Sequence, residues 1–277
     1  MFDPKEYQSL LRLLDDESSV YDAVQQRLLE MGPDVVPSLR ETAETGSPLM
    51  RERAKDIAER ITIGQLRAQF RDLVGHTDHG DIDLERGIFI IARYQYPTLD
   101  VKHYTEILNS LAAELDAKLT GHDDPNEILY LVNDFLIKEK KFQGNKIDYY
   151  NPDNSYINRV LDSRMGIPIS LCIVYLLIAR RLNIPLVGIG MPSHFVLKYT
   201  VGSSEIFIDP FNVGQLLTRE QCIASLDQTG FGYTPSYLEK VSNRYMIERV
   251  LRNLELAYTQ QGDPLRARNL ITLNDVL

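Results

Sequence analysis

The apolar run from Ile167 to Leu182 constrains the fold of this chain more than any other feature. Pro168 suits the first turn of a helix, where a missing N–H costs nothing, and Arg180 and Arg181 favour a helix C-terminus. Because such a helix has no polar face, neighbours must cover it on every side. A membrane span needs about 20 apolar residues. The run is shorter, so it predicts a buried central helix.

After Pro185 the sequence changes from helical to alternating periodicity. Residues 186–191 and 194–201 have strand patterns, residues 202–204 are typical of a turn, and residues 205–209 return as the next strand. A turn centred between residues 202 and 203 places Asp209 opposite Val196. Asp209 then lies one diagonal step from His194, a Cα separation of about 7–8 Å. The pattern predicts a hairpin that presents both side chains beside the central helix.

Helical periodicity dominates the rest of the chain. Residues 1–75 resemble a HEAT-type helical repeat, and residues 241–277 form helix, Gly-Asp turn and helix, similar to one TPR-like unit. We therefore predict a mostly helical α+β fold. It has an N-terminal HEAT-like segment (1–75), a core domain with the central helix on a small antiparallel sheet (76–240), and a C-terminal TPR-like hairpin (241–277). Single repeat units need a neighbour to bury their faces, so the flanks are expected to pack on the core or on a protein partner.

Composition narrows the classes of function. The chain has 39 acidic and 30 basic residues, a formal charge of −9, which disfavours binding to nucleic acid or to anionic membranes. Cys172 and Cys222 cannot form a disulfide framework, and no Cys/His zinc cluster is present in the sequence. His76 and His79 flank a turn without further ligands, so we expect neither a metal nor a cofactor. The first residues lack a secretory signal, and the expected location is the cytoplasm.

Four short motifs together resemble one protein family. They are Asn-Ser-Tyr at 154–156, Arg-x-Gly-Ile-Pro-Ile-Ser-Leu at 164–171, Pro-Ser-His-Phe at 192–195 and Ile-Asp-Pro-Phe-Asn-x-Gly at 208–214. The chain is similar, over at least residues 80–260, to the bacterial regulators of sirC expression, which have transglutaminase-like and TPR domains. This family resembles the papain-related transglutaminase-like superfamily, whose core runs from a Gly-x-Cys helix to a His strand and then an Asp strand.

The resemblance implies that His194 and Asp209 occupy the places of the catalytic histidine and aspartate. In active members the aspartate orients the imidazole, and the imidazole takes the proton of the cysteine nucleophile. Here the motif Gly166-Ile167-Pro168 has proline at the cysteine position. Proline has no nucleophilic group, so the resemblance implies a lapsed catalytic site.

Two other side chains are candidates for a displaced nucleophile. Cys172 lies one turn after Pro168 on the same helix face, about 6 Å further along the axis. Its apolar neighbours are also typical of an inert buried cysteine. Ser170 lies in the first turn, where a hydroxyl can instead satisfy free backbone groups.

Asn154 and Arg164 precede the central helix and are candidates for substrate binding, through an oxyanion or a carboxylate. Capping and ion pairing are the alternative roles for both. His194 and Asp209 also have a structural alternative, as a buried hydrogen-bonded pair that fastens strand to strand.

The sequence leaves two functions open. The favoured one is a non-catalytic transglutaminase-like module with helical-repeat flanks that acts in protein–protein interaction or regulation. The alternative is a cysteine or serine acyl-transfer hydrolase (amidase, peptidase or transamidase) that uses His194, Asp209 and a displaced Cys172 or Ser170.

Overall fold

A computed structural model of the protein describes residues 4–16, 18–77, 80–202 and 204–277. The chain divides into two compact units, Met1–Asp72 with Val276 and Leu73–Asp275 with Leu277. None of the described helices combines the length and the apolar composition that a membrane crossing requires. The division into three segments at residues 75 and 240 stays a prediction.

The N-terminal unit is helical. Its helices are α1 (Pro4–Arg12), α2 (Ser18–Met31), α3 (Val36–Thr45) and α4 (Pro48–Gly75). The last three residues of α4 belong to the second unit. A short helical turn at Gly32–Val35 separates α2 from α3, as the Gly-Pro pair predicts. The apolar faces meet in one cluster, which includes Leu14, Leu28, Leu39 and Ile57, each fully buried. Membership of the HEAT class stays a prediction.

The second unit carries most of the remaining helices. They are α5 (Leu84–Gln95), α6 (Val101–Leu119), α7 (Pro125–Asp134), α8 (Ile157–Ser163), α9 (Pro168–Arg181), α10 (Arg219–Gln228), α11 (Asn243–Gln260) and α12 (Pro264–Asn274). Aspartates begin several of them: the carboxylates of Asp83, Asp100 and Asp124 accept backbone N–H bonds in the first turns of α5, α6 and α7. The predicted C-terminal helical hairpin is present as α11 and α12.

Helix α9 is the centre of this unit. Every residue from Pro168 to Ala179 is buried, and the helix contacts α6, α8, α11 and the sheet. The prediction of a central helix without a polar face is therefore confirmed. Since each fully buried aliphatic side chain contributes about 1.5–3 kcal/mol, α9 supplies much of the hydrophobic stabilisation of the unit.

A short parallel pair joins β1 (Gln143–Gly144) to β2 (Met165–Gly166). The main sheet contains β3 (Leu186–Ile189), β4 (Val196–Val201), β5 (Ser204–Asp209) and β6 (Gln215–Leu217). These four strands are antiparallel and lie in the order β3-β4-β5-β6. Leu197 pairs with Ile208 and Thr200 with Glu205, which confirms the predicted register of the hairpin. The mostly helical α+β fold class is confirmed as well.

The predicted strand starting at residue 194 begins two residues late. Ser193 adopts a left-handed backbone conformation with φ 58°, and the His194 N–H donates to the Met191 carbonyl oxygen at 3.2 Å. These features form a turn between β3 and β4, which alternation of residue types cannot reveal. Strand β6 was not predicted, because its three residues are too few for a periodic pattern.

A tight loop after Asp209 is fastened to two helices. Gly214 has φ +69°, and the side-chain amide of Asn133 donates to the Gly214 carbonyl oxygen at 2.7 Å. The Tyr175 hydroxyl on α9 donates to Oδ1 of Asn133 at 3.0 Å. A Cβ at position 214 would collide with the Asn133 amide, so this position needs glycine for both its conformation and its space.

We predict that Gly214→Ala lowers the free energy of unfolding by about 2–5 kcal/mol, through backbone strain and displacement of Asn133. Gly262→Ala is the matched control, because Gly262 has φ +73° and open space around it. The control should lose only the backbone part, about 1–2 kcal/mol. Urea unfolding followed by circular dichroism measures both. Equal losses would contradict the role of the Asn133 contact.

Candidate functional site

The candidate site is built around a histidine–aspartate pair where β4 begins and β5 ends. Nε2 of His194 lies 2.7 Å from Oδ2 of Asp209. The His194 side chain is 26% exposed and the Asp209 side chain 5%. His194 stands in the turn before β4 and not within the strand, yet the structure brings together the two residues that the sequence paired.

Asp209 is held by a second partner, Asn212. The Asn212 backbone N–H donates to Oδ1 at 3.2 Å, and the Asn212 side-chain amide donates to Oδ2 at 2.8 Å. Burial by itself raises the pKa of Asp209, but hydrogen bonds from His194 and Asn212 outweigh it, so the pKa lies below its ordinary value. The carboxylate is therefore ionised at neutral pH and accepts a hydrogen bond from Nε2–H. Nδ1 of His194 remains as the basic ring nitrogen.

Aromatic rings restrain the imidazole from the side. The Phe211 ring lies edge-on to the His194 ring with centroids 6.4 Å apart, and Tyr149 packs on Phe211 at 5.8 Å. Nζ of Lys146 lies 5.7 Å from the Phe211 centroid and donates to Oδ1 of Asn212 at 2.9 Å. The Asp209 loop and the histidine are thus fixed by packing as well as by hydrogen bonds.

His194 borders two clefts in the surface of this unit. The first, here named the Pro168 cleft, has a volume of about 490 Å³ and is lined by Tyr149, Pro168, His194, Arg249 and Arg252, among others. The second, here named the Cys222 cleft, has a volume of about 560 Å³ and includes His194, Asp209 and Cys222 in its lining. The imidazole is therefore accessible to a ligand from either side.

Pro168 opens into the same cleft as the imidazole. It is the first residue of α9, and its ring lines the cleft together with His194. The residue that the motif aligns with the superfamily nucleophile therefore lines the same cleft as His194. A proline side chain has no proton for the imidazole to remove, so Pro168 itself is not a nucleophile.

Ser170 is not positioned to act as the displaced nucleophile. Its buried hydroxyl donates to the Asn154 carbonyl oxygen at 2.6 Å and accepts the Ile167 N–H at 3.0 Å. Ser170 also lines neither cleft. Its hydroxyl instead satisfies backbone groups at the start of α9, which is the alternative role that the sequence offered.

Cys172 is equally unsuited to nucleophilic attack. Its side chain is fully buried, and Sγ lies 3.6 Å from the Phe195 carbonyl oxygen. Burial, together with the negative charge of Asp209, raises the pKa of Cys172 well above its ordinary value. Burial likewise raises the pKa of Cys222 to about 11. Both thiols stay protonated at neutral pH, whereas attack requires the thiolate.

The side-chain amide of Asn154 is engaged within the protein. Its buried amide donates to the backbone oxygens of Asp148 and Tyr149 at 2.7 and 3.1 Å, and its Oδ1 accepts from Asn145. These bonds use its polar atoms to hold the loop that carries Tyr149. Asn154 is thus a structural residue behind the cleft wall.

Arg164 also lies outside both clefts. It ends α8 in a left-handed conformation with φ 61°, and its guanidinium carbon lies 4.8 Å from the centroid of the Phe142 ring. Burial lowers the pKa of Arg164. Its position at the end of α8 agrees with the alternative capping role, and substrate binding by Arg164 stays a prediction.

No metal centre is formed by the described part of the chain, where no group of three or more His, Cys, Asp or Glu side chains is arranged to hold an ion. Of the two loop histidines, His79 lies outside the described residues.

Several residues of the site were not identified from the sequence. Asn212 and Phe211 lie within the quoted 208–214 motif, but no role was predicted for them. Arg249 and Arg252 lie in the predicted C-terminal hairpin, for which the sequence predicts no site residue. Their spacing of three residues, which puts two positive charges on one face, was the available signal.

Comparisons with known proteins agree with this architecture. A family model described as "Transglutaminase-like superfamily" matches residues 102–252, more than half of the chain. The chain therefore belongs to the transglutaminase-like superfamily. Within it, the chain belongs to the UPF0162 family: a UPF0162 protein of Xylella fastidiosa (strain 9a5c) is 31% identical over 202 residues, 71% of this chain and 72% of the relative.

Other relatives match shorter segments. A UPF0162 protein of Vibrio cholerae is 31% identical over 132 residues, 45% of this chain and 47% of the relative. F-box only protein 21 of Homo sapiens is 36% identical over 137 residues, 47% of this chain but 21% of that protein. No solved structure matches the chain.

We predict that Asp209→Asn lowers the free energy of unfolding at pH 7 by about 2–4 kcal/mol, because a buried charged acceptor loses its charge. Since the folded-state pKa of Asp209 lies below the unfolded value of about 4, its contribution is present above that pH and is lost as the pH falls through the folded pKa. The variant should show a flatter stability profile in that acidic range, measured by urea unfolding.

The exposed Asp227 on α10 provides the control. Asp227→Asn should change stability by less than about 0.5 kcal/mol. A wild-type stability profile for Asp209→Asn would refute the assignment.

Proposed function

We propose that this protein is a non-catalytic transglutaminase-like module that binds a protein partner and acts in regulation. The observation that carries the proposal is that Pro168 and His194 both line one cleft. A general base is kept in an accessible position, but it has no nucleophile to activate.

The His194–Asp209 pair has a structural function in this proposal. The 2.7 Å contact joins the turn before β4 to the end of β5, and Asn212 extends it into the following loop. Burial of a carboxylate without partners is costly, so the hydrogen bond from His194 to Asp209 stabilises the fold even without catalysis. It also holds one wall of each cleft in place.

The regulatory part of the proposal follows the resemblance to regulators of sirC expression. We assign the partner-binding role to the helical flanks, with residues 1–75 as a HEAT-like segment and α11–α12 as a TPR-like hairpin. Helix α11 supports this role because it supplies Arg249 and Arg252 to the Pro168 cleft. The net charge of −9 supports a protein partner over nucleic acid or membrane, and the proposed location is the cytoplasm.

The competing function is a cysteine or serine acyl-transfer hydrolase. The intact His194–Asp209 pair favours it, since this geometry would orient an imidazole for proton transfer. Against it stand the buried Cys172 thiol and the engaged Ser170 hydroxyl. Chemical labelling separates the two functions.

We predict that iodoacetamide and a fluorophosphonate probe label neither Cys172 nor Ser170 in the native protein. Pro168→Cys should introduce a thiol that iodoacetamide alkylates, because the new side chain shares the cleft with His194. At pH 6 its alkylation should be at least about tenfold faster than in the double variant with His194→Ala, since imidazolium stabilises a thiolate. Mass spectrometry of peptides identifies the labelled residue.

Pro168→Ala is the control and should stay unlabelled. Labelling of native Cys172 or Ser170 that disappears in His194→Ala would establish the acyl-transfer function instead. Alkylation of Pro168→Cys that does not depend on His194 would show that the base no longer serves this position.

A further inference from the structure

Two arginines in the Pro168 cleft have no acidic partner among the described residues. Arg249 and Arg252 lie three residues apart on α11, and neither forms an ion pair within the ranges that the structure describes. Nη1 and Nη2 of Arg249 each lie 3.5 Å from the Met191 carbonyl oxygen, and Nη1 lies 3.5 Å from the Tyr245 hydroxyl. Arg252 lies 5.5 Å from the Tyr245 ring centroid.

Some arginines of the same unit are paired with carboxylates: Arg181 contacts Glu85 at 2.8 Å, and Arg219 contacts Glu205 at 2.8 Å. Arg249 and Arg252 differ from these two because no described carboxylate pairs with them and because both line a cleft. Their guanidinium groups can therefore pair with an external anion.

The lining of the cleft strengthens this charge. The described residues that line it include His194 and the first turn of α9 but no aspartate or glutamate. The first turn of a helix carries a partial positive charge from its free N–H groups. The cleft is therefore complementary to a negatively charged group.

The remaining walls are apolar. Tyr150 and Leu256 line the cleft and are 48% and 45% exposed, and Pro168 and Ile169 lie between the charged groups in the lining. Ile147, in the loop that leads to Tyr150, is 98% exposed. A small inorganic anion would leave this apolar surface uncovered. An extended peptide with an acidic residue between apolar ones would cover it and also pair the arginines.

We infer that the Pro168 cleft binds an acidic peptide segment of a partner protein, with Arg249 and Arg252 holding its carboxylate and Tyr150 and Leu256 its apolar neighbours. The inference rests on the proposed function, because it names the ligand chemistry of a module that binds and does not catalyse. The former reaction centre then serves as a recognition site.

Fluorescence polarisation on the full chain tests the inference. The probe is a fluorescein-labelled hexapeptide pool with Glu fixed at one central position and an equal mixture of Leu, Ile, Phe and Tyr elsewhere. A matched pool carries Gln at the fixed position. We expect the Glu pool to bind about tenfold or more tightly than the Gln pool, with affinity falling as sodium chloride increases.

Arg249→Gln and Arg252→Gln should each weaken binding of the Glu pool about tenfold. Arg268→Gln is the matched control, because Arg268 is exposed on α12 and does not line the cleft. It should bind as the unaltered chain does. Circular dichroism and urea unfolding check that the variants are folded.

The inference is overturned if neither pool binds, if both pools bind equally, or if both arginine variants bind as tightly as Arg268→Gln. Inorganic phosphate that competes at the affinity of the Glu pool would assign the cleft to a simple anion and also overturn it. These outcomes leave the non-catalytic function standing. Labelling of native Cys172 or Ser170 removes that function, whatever the peptides do.

Discussion

The rest of the second unit depends on the need to cover α9 on all sides. Its apolar surface gains stability only when helices, sheet and loops enclose it completely. Enclosure brings elements from distant parts of the chain to the first turn of this helix, among them the loop with Tyr149, the turn with His194 and the face of α11 with Arg249. The site is thus a by-product of burying one helix, and its position follows from where that helix begins.

The hydrogen bonds of Asp209 both stabilise its buried charge and orient His194. A carboxylate that is almost completely buried requires donors, and His194 and Asn212 provide them. The same bonds that remove the cost of burial fix the tautomer and the orientation of the imidazole. A preserved His–Asp geometry is therefore weak evidence for catalysis, because folding alone is reason enough to keep it.

Local patterns in the sequence were sufficient for much of the fold. The apolar run identified the central helix, and the turn at residue 202 set the hairpin register that leads to Asp209. The backbone turn at Ser193 and the hydrogen bonds of Ser170 depend on tertiary neighbours, so no local pattern encodes them. The convergence of Arg249 with Pro168 joins residues that are about eighty positions apart in the chain, which only the packing of α11 against α9 determines.

Position 168 has an architectural property of its own. The first residue of a helix needs no N–H donor, so proline fits there without loss of any helical hydrogen bond. A residue with a reactive side chain would fit the same backbone equally well. A change between an unreactive and a reactive side chain at this position should therefore alter the free energy of folding little. Proteins that share one scaffold can thus differ in chemistry through a single side chain.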